Sequence, residues 1–90
     1  MTSYQYTLHP DERKSIDAFL EPGTHRGYLG NPDWNRSWSI LHEEPGRILL
    51  EHWNHALAWV ELDGDLVKSH TILEGDEARA ERAKYVSEDE

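Results

Sequence analysis

Four short segments in the second half of the chain carry most of its apolar side chains. Their sequences, SWSILHE, RILLEHW, ALAWVEL and DLVKSHTIL, are separated by turn residues. Pro45-Gly46 fits a type II turn, Asp63-Gly64 is a strong two-residue hairpin signal, and Asn54-His55 stands between the two middle segments. The pattern predicts a four-stranded antiparallel meander over residues 37–73.

Helical patterns lie on both sides of this region and give the fold class α+β. Pro10 suits the first position of a helix, two acidic residues follow it, and a proline-glycine pair ends the apolar stripe, which predicts a helix over residues 10–20. A weaker, polar helix with an acidic tail is predicted over residues 76–87, with Asp76 as its N-cap. Alternating tyrosines predict a short strand within residues 1–8, which joins an edge of the sheet in a five-stranded version of the fold.

Residues 21–36 form a connection that is longer than usual and holds three glycines and two prolines. One interpretation is a plain surface loop anchored by its apolar residues. The other is a functional loop, because long ordered loops often carry sites. Its candidate site residues are His25, Tyr28, Asp33 and Trp34.

The predicted two-residue turns fix which residues face each other across the strands. They place Leu50 opposite Trp59 and Trp38 opposite Trp53, and they leave both faces of the sheet apolar. A single amphipathic helix covers only one face. The second face is then covered by the long loop and the last helix, or forms a homodimer interface, or contacts another protein.

The predicted pair of Trp38 and Trp53 has two interpretations of its own. Tryptophan is enriched in binding hot spots, so two indoles paired across strands on an open face would form an aromatic platform. On a covered face the same pair would be part of the core.

Composition and charge narrow the classes of function. The chain has 90 residues, enough for one small domain over residues 1–90, and it carries 18 acidic and 9 basic residues for a net charge of −9. Such acidity argues against direct contact with nucleic acid and favours a basic protein surface as partner. The absence of cysteine excludes disulfides and thiolate chemistry. Without an apolar membrane span or a leader pattern, a cytoplasmic location and no membrane contact are expected.

Histidine is frequent, with six residues, but the pattern predicts neither a metal site nor a cofactor. His52 and His55 have a ligand-like spacing only on a helix, and here the spacing falls on a strand and turn, where the two side chains point apart. The chain contains no nucleophile-elbow or phosphate-loop motif, so an enzyme is not expected and no catalytic residue is assigned.

In composition alone, the chain resembles inhibitor and immunity proteins, phage anti-defence proteins (anti-CRISPR-like) and nucleic-acid mimics. It shares with them small size, acidity, surplus aromatic residues and the lack of a catalytic motif. The expected function is a small acidic protein-binding module of the inhibitor type that covers the basic surface of a nucleic-acid-binding target. The alternatives are a homodimeric protein that binds a ligand or a metal, an enzyme with its site in the loop, or a subunit of a larger assembly. The expected partner-binding residues are Trp38, Trp53, Glu43, Glu44, Glu51, Asp63 and Asp65.

Overall fold

The computed structural model describes residues 7–31 and 38–86, and it confirms the predicted α+β meander. The four strands form one antiparallel sheet in chain order, preceded by a helix and followed by a shorter one. The elements are α1 Pro10–Phe19, a 3-10 helix Arg26–Tyr28, β1 Trp38–Glu44, β2 Arg47–His52, β3 Leu57–Asp63, β4 Leu66–Leu73 and α2 Gly75–Arg82.

The helix α1 begins where its local sequence satisfies the free backbone groups of the first turn. His9 is the N-cap residue, and its ring nitrogen accepts from the N–H of Asp11 at 3.4 Å. Glu12 reaches back and accepts from the N–H of His9 at 2.8 Å. The acidic residues of the first turn also favour the positive end of the helix. The predicted helix is thus confirmed, and only its last residue differs.

The core on one side of the sheet, here called the α1 face, is formed by α1 and the loop that follows it. Ile16, Leu20 and Leu29 are fully buried there against the sheet. The sheet contributes Trp38, Ile48, Leu50, Ala58, Val60 and Val67. The described part of the long loop, residues 21–31, therefore contributes Leu29 to the same face as α1.

The other side of the sheet, the α2 face, is covered by the last helix and the turn after it. Ala78 and Tyr85 pack against Leu49, Leu57 and Trp59. The indole N–H of Trp59 donates to Glu81 of α2 at 2.9 Å, and the Tyr85 ring lies 6.1 Å from the indole. The last helix therefore covers this part of the second face, as one of the three interpretations predicted.

The helix α2 begins at Gly75, one residue before the predicted range, and ends at Arg82, short of the predicted end at residue 87. Its N-cap residue is Glu74, and not Asp76, because Gly75 takes a positive φ of 62° and opens the helix. The Glu74 side chain makes no cap hydrogen bond and instead accepts from the backbone N–H of Leu8 at 2.7 Å. This contact ties the residues before α1 to the start of α2.

The predicted strand register is wrong in part of each of the three strand pairs, and each difference has a local cause. In β3–β4, Gly64 and Asp65 form the loop, so that Leu62 faces Val67 and not Asp65. A β-bulge between Ile40 and His42 shifts β1 by one residue, so that Trp38 faces His52. The β2–β3 turn has three loop residues, 53–55, and ends in the left-handed conformation, with φ 76° at His55. A one-residue difference exchanges the faces of a strand, and the predicted pair of Trp38 and Trp53 is therefore wrong.

Other predictions depend partly on residues outside the described ranges. Residues 1–6 of the predicted first strand lie outside them, and Thr7 and Leu8 are not in a strand. Residues 32–36 of the long loop and residues 87–90 of the acidic tail also lie outside. Within residues 7–31 and 38–86, no helix is long and apolar enough to cross a membrane.

Candidate functional site

The meander places the β1–β2 and β3–β4 turns at one end of the sheet and the β2–β3 turn at the other. The two turns at the first end lie side by side, because the N–H of Leu62 donates to the carbonyl of Gly46 at 2.9 Å. A strand of six residues such as β2 is roughly 20 Å long. The predicted partner-binding residues are therefore divided between two separate surfaces.

The first surface, the acidic end, gathers residues from three distant parts of the chain. The two turns bring four carboxylates to this end, and the 3-10 helix lies between them. The N–H of Arg26 donates to the carbonyl of Asp65 at 2.8 Å, and its guanidinium donates to Glu43 at 2.8 Å. The predicted residues that meet here are Glu43, Glu44, Asp63, Asp65, His25 and Tyr28.

Local hydrogen bonds hold the loop segment of the acidic end in place. The ring nitrogen Nδ1 of His25 accepts from the N–H of Gly27 at 3.0 Å and so caps the 3-10 helix. The backbone before it pairs with β4: the N–H of Gly23 donates to the carbonyl of Val67, and the N–H of Val67 donates to the carbonyl of Thr24. These bonds join the loop to the β3–β4 hairpin.

The carboxylates of the acidic end differ in how they are paired. Hydrogen bonds, first from Arg47 and then from His42, hold the pKa of the Glu44 carboxyl below its usual value. Glu43 accepts from Arg26. Asp63 and Asp65 are exposed, so their charges are the ones most directly presented to solvent.

Two exposed apolar side chains accompany these charges. Tyr28 and Leu66 are each 47% exposed, and the backbone next to Leu66 bridges to His25 in the loop. Large apolar groups next to charged groups are typical of protein-binding surfaces. The acidic end therefore combines apolar contact area with negative charge.

Two predicted partner-binding residues lie away from the acidic end in internal contacts. Trp38 is 5% exposed and packs in the core, where its ring lies 4.9 Å from that of His52. Glu51 accepts from Arg82 of α2 at 2.5 Å and contacts Nδ1 of His55 at 2.8 Å. Trp38 does not form an open aromatic face, and Glu51 fastens α2 to the β2–β3 turn.

The second surface is the β2–β3 turn, here called the tryptophan turn, residues 53–55 with the adjacent His52. Trp53 is 64% exposed, and its ring lies 5.2 Å from that of His52. His52 itself is buried and faces Glu12 of α1. His55 lies on the other side of the sheet with Glu51, so the two histidines point apart as predicted.

Sequence reasoning missed Glu12 and Asn54 as neighbours of His52. Glu12 is 40 residues away in the chain, and nothing in its local pattern differs from an ordinary helix cap. Asp33 and Trp34, the remaining loop candidates, lie outside the described residues. Among the residues that the structure describes, no group of three histidine or carboxylate side chains is arranged to hold a metal ion.

Comparison of the chain with protein-family models, curated proteins and solved structures gives no match. Function is therefore argued from the geometry of the two surfaces.

Proposed function

We propose that this protein is an acidic protein-binding module that places its acidic end on a basic surface of a partner protein. The observation that supports this proposal is the gathering of exposed carboxylates from two hairpins at one end of the sheet, where Leu66 and the adjoining 3-10 helix with Tyr28 also expose apolar side chains. The apolar groups would supply desolvated contact area, and the charges would select a basic partner.

The electrostatics favour a partner over a solubility role alone. Two of the basic side chains near this end are already engaged, since Arg26 bonds to Glu43 and Arg47 bonds to Glu44. The exposed charges of Asp63 and Asp65 consequently remain uncompensated by these two arginines. A net charge of −9 adds a long-range field that speeds encounter with a basic surface.

The kind of partner follows from the same charge. Proteins that bind nucleic acid present basic grooves, and an acidic module seated in such a groove would block access without any chemistry. We therefore propose an inhibitor that acts by occlusion, with a nucleic-acid-binding protein as its target. Neither predicted tryptophan takes part in this contact, because Trp38 is buried and Trp53 lies in the β2–β3 turn at the far end of the sheet.

The test is a pull-down from a lysate of the source organism at ~0.1 M and ~0.5 M salt, with bound proteins identified by mass spectrometry. Exposed charge pairs are strongly screened at the higher salt, so a basic partner should be retained at the lower salt and weakened at the higher. Measured association rates with that partner should fall severalfold when Asp63→Asn and Asp65→Asn are combined.

A matched control distinguishes the effect of the acidic end on the association rate from the effect of overall charge. Asp76→Asn with Glu77→Gln removes the same two negative charges from the exposed first turn of α2, at the opposite end of the sheet. This control should keep most of the association rate. Equal loss in both double variants, or no loss in either, would contradict a specific acidic end.

A further inference from the structure

His52 is a buried polar side chain at the end of β2. Its side chain has 0% exposure, and it is the one buried polar or charged residue within residues 7–31 and 38–86. Its ring stands between two indoles, with centroids 4.9 Å from Trp38 and 5.2 Å from Trp53. Water does not reach this imidazole, so its two nitrogens must be satisfied by protein groups.

The Nδ1 side of the ring faces an oxygen whose orientation is fixed. Nδ1 lies 2.8 Å from Oδ1 of Asn54. The amide cannot be reversed, because Oδ1 also accepts from the N–H of Ala56 at 3.1 Å and Nδ2 donates to the carbonyl of Thr7. The N–H of Asn54 also points towards Nδ1, but at 3.4 Å it is the longer contact. The shorter contact therefore requires a proton on Nδ1.

The Nε2 side of the ring faces a carboxylate. Nε2 lies 3.2 Å from Oε2 of Glu12, an ion-pair distance, although the angle is too poor for a hydrogen bond. The other oxygen of Glu12 is held by the N–H of His9 in the helix cap, so the carboxylate cannot turn away without breaking that cap. A lone pair on Nε2 would face this negative charge, whereas a proton on Nε2 would be attracted to it.

We infer that His52 carries a proton on both ring nitrogens and, as an imidazolium, fastens the tryptophan turn to the first turn of α1. Burial opposes any charge, but either neutral tautomer would leave one nitrogen lone pair against a fixed oxygen. The charged form donates to Oδ1 of Asn54 and places a positive charge at ion-pair distance from the carboxylate of Glu12, which supplies the counter-charge. This inference does not depend on the proposed function.

The fastening bears on the position of Trp53, because the ring centroids of His52 and Trp53 lie 5.2 Å apart and His52 in turn contacts Glu12 of α1. Other charged groups act on this ring from a greater distance. They are His9 and Asp11 on the first turn of α1, and Glu51, His55 and Arg82 across the sheet.

The direct test is a long-range ¹H–¹⁵N spectrum of the ¹⁵N-labelled full chain near pH 7, which reports protonation at each ring nitrogen. The His52 signals are assigned by their loss in His52→Gln. We expect both nitrogens to be protonated. A single protonated nitrogen at neutral pH would overturn the inference.

Glu12→Gln provides a variant that keeps the shape of the site. The amide of the new side chain can still accept from His9 and can donate to Nε2, so the neutral ring with its proton on Nδ1 becomes satisfied. We expect His52 to change to that neutral form near pH 7. The matched control is Asp17→Asn, which alters the surface pair of Asp17 and His70, 2.7 Å apart, and should leave the His52 signals unchanged.

A second readout follows Trp53 itself. Its indole N–H resonance at pH 7 should shift in Glu12→Gln and stay in place in Asp17→Asn, because the ring centroids of Trp53 and His52 lie 5.2 Å apart. An unchanged Trp53 resonance in Glu12→Gln would show that the carboxylate does not hold the proton.

Discussion

The contrast between the two tryptophans at the ends of β1 and β2 gives a quantitative test of the register. Trp38 is 5% exposed and Trp53 is 64% exposed, although the sequence alone predicts them as partners. Tryptophan buries up to about 250 Å². At ~25 cal/mol/Å², the full burial of Trp38 contributes at most roughly 6 kcal/mol to the free energy of unfolding. Burial of about a third of Trp53 contributes at most roughly 2 kcal/mol.

Replacement of each tryptophan by alanine should therefore have very different effects. Buried aromatic residues cost about 3–5 kcal/mol when replaced by alanine, so we expect this loss for Trp38→Ala and about 1 kcal/mol for Trp53→Ala. For a domain of this size, 1 kcal/mol lowers Tm by roughly 4–8 °C. Trp38→Ala should lower Tm by about 12 °C or more, and Trp53→Ala by less than about 8 °C.

Urea unfolding followed by circular dichroism measures both losses under the same conditions. If Trp38→Ala unfolds the chain, Trp38→Phe is the milder replacement and should still cost more than Trp53→Ala. Equal losses at the two positions would refute the register, because they would require Trp53 to be as buried as Trp38.

Three further predictions concern the core, the acidic end and a turn. Leu50→Ala should destabilise the protein by about 3 kcal/mol in urea unfolding, since the side chain is fully buried, and a loss below about 1 kcal/mol would contradict its place in the core. Because Arg47 and His42 lower the pKa of Glu44 in the folded state, the stabilisation from this carboxylate is present above the ordinary carboxyl pKa and is lost as the pH falls below it through the lowered pKa of the folded state. The free energy of unfolding should therefore fall less on acidification in Glu44→Gln than in the unchanged protein. An unchanged acid dependence would exclude the pairing of Glu44 with Arg47 and His42. Gly46→Ala should cost about 1 kcal/mol in thermal unfolding because φ is +88° there, and a stabilised variant would show that the turn is not left-handed.

Much of the fold is predictable from local sequence because its turns are encoded locally. The Pro45-Gly46 turn lies where it was predicted, with Glu44 opposite Arg47. The other two turns are displaced by one residue: Gly64 and Asp65 form the β3–β4 loop, and three residues form the β2–β3 loop. A left-handed histidine and a bulge have no distinct sequence signal, so strand order was predictable and strand register was not.

The candidate surfaces were predictable in part for a similar reason. Acidic residues at hairpin turns are exposed wherever the hairpins form, so Asp63 and Asp65 could be proposed from the pattern alone. The contact of Asp65 with Arg26 depends on how the loop packs, and the approach of Glu12 to His52 depends on how α1 packs. Such contacts join residues far apart in the chain, and the local pattern of a single sequence does not predict them.

The order of the strands also determines how this chain reaches its folded state. Each strand pairs with its neighbour in the chain, so the sheet closes only short loops, and short loops cost little entropy. Helix α1 must instead pack across the sheet and reaches His52 only after the middle hairpin exists. The hairpins should therefore form first and α1 should dock late. In native-state hydrogen exchange, the amides of α1 should open at lower free energy than those of the central strands β2 and β3.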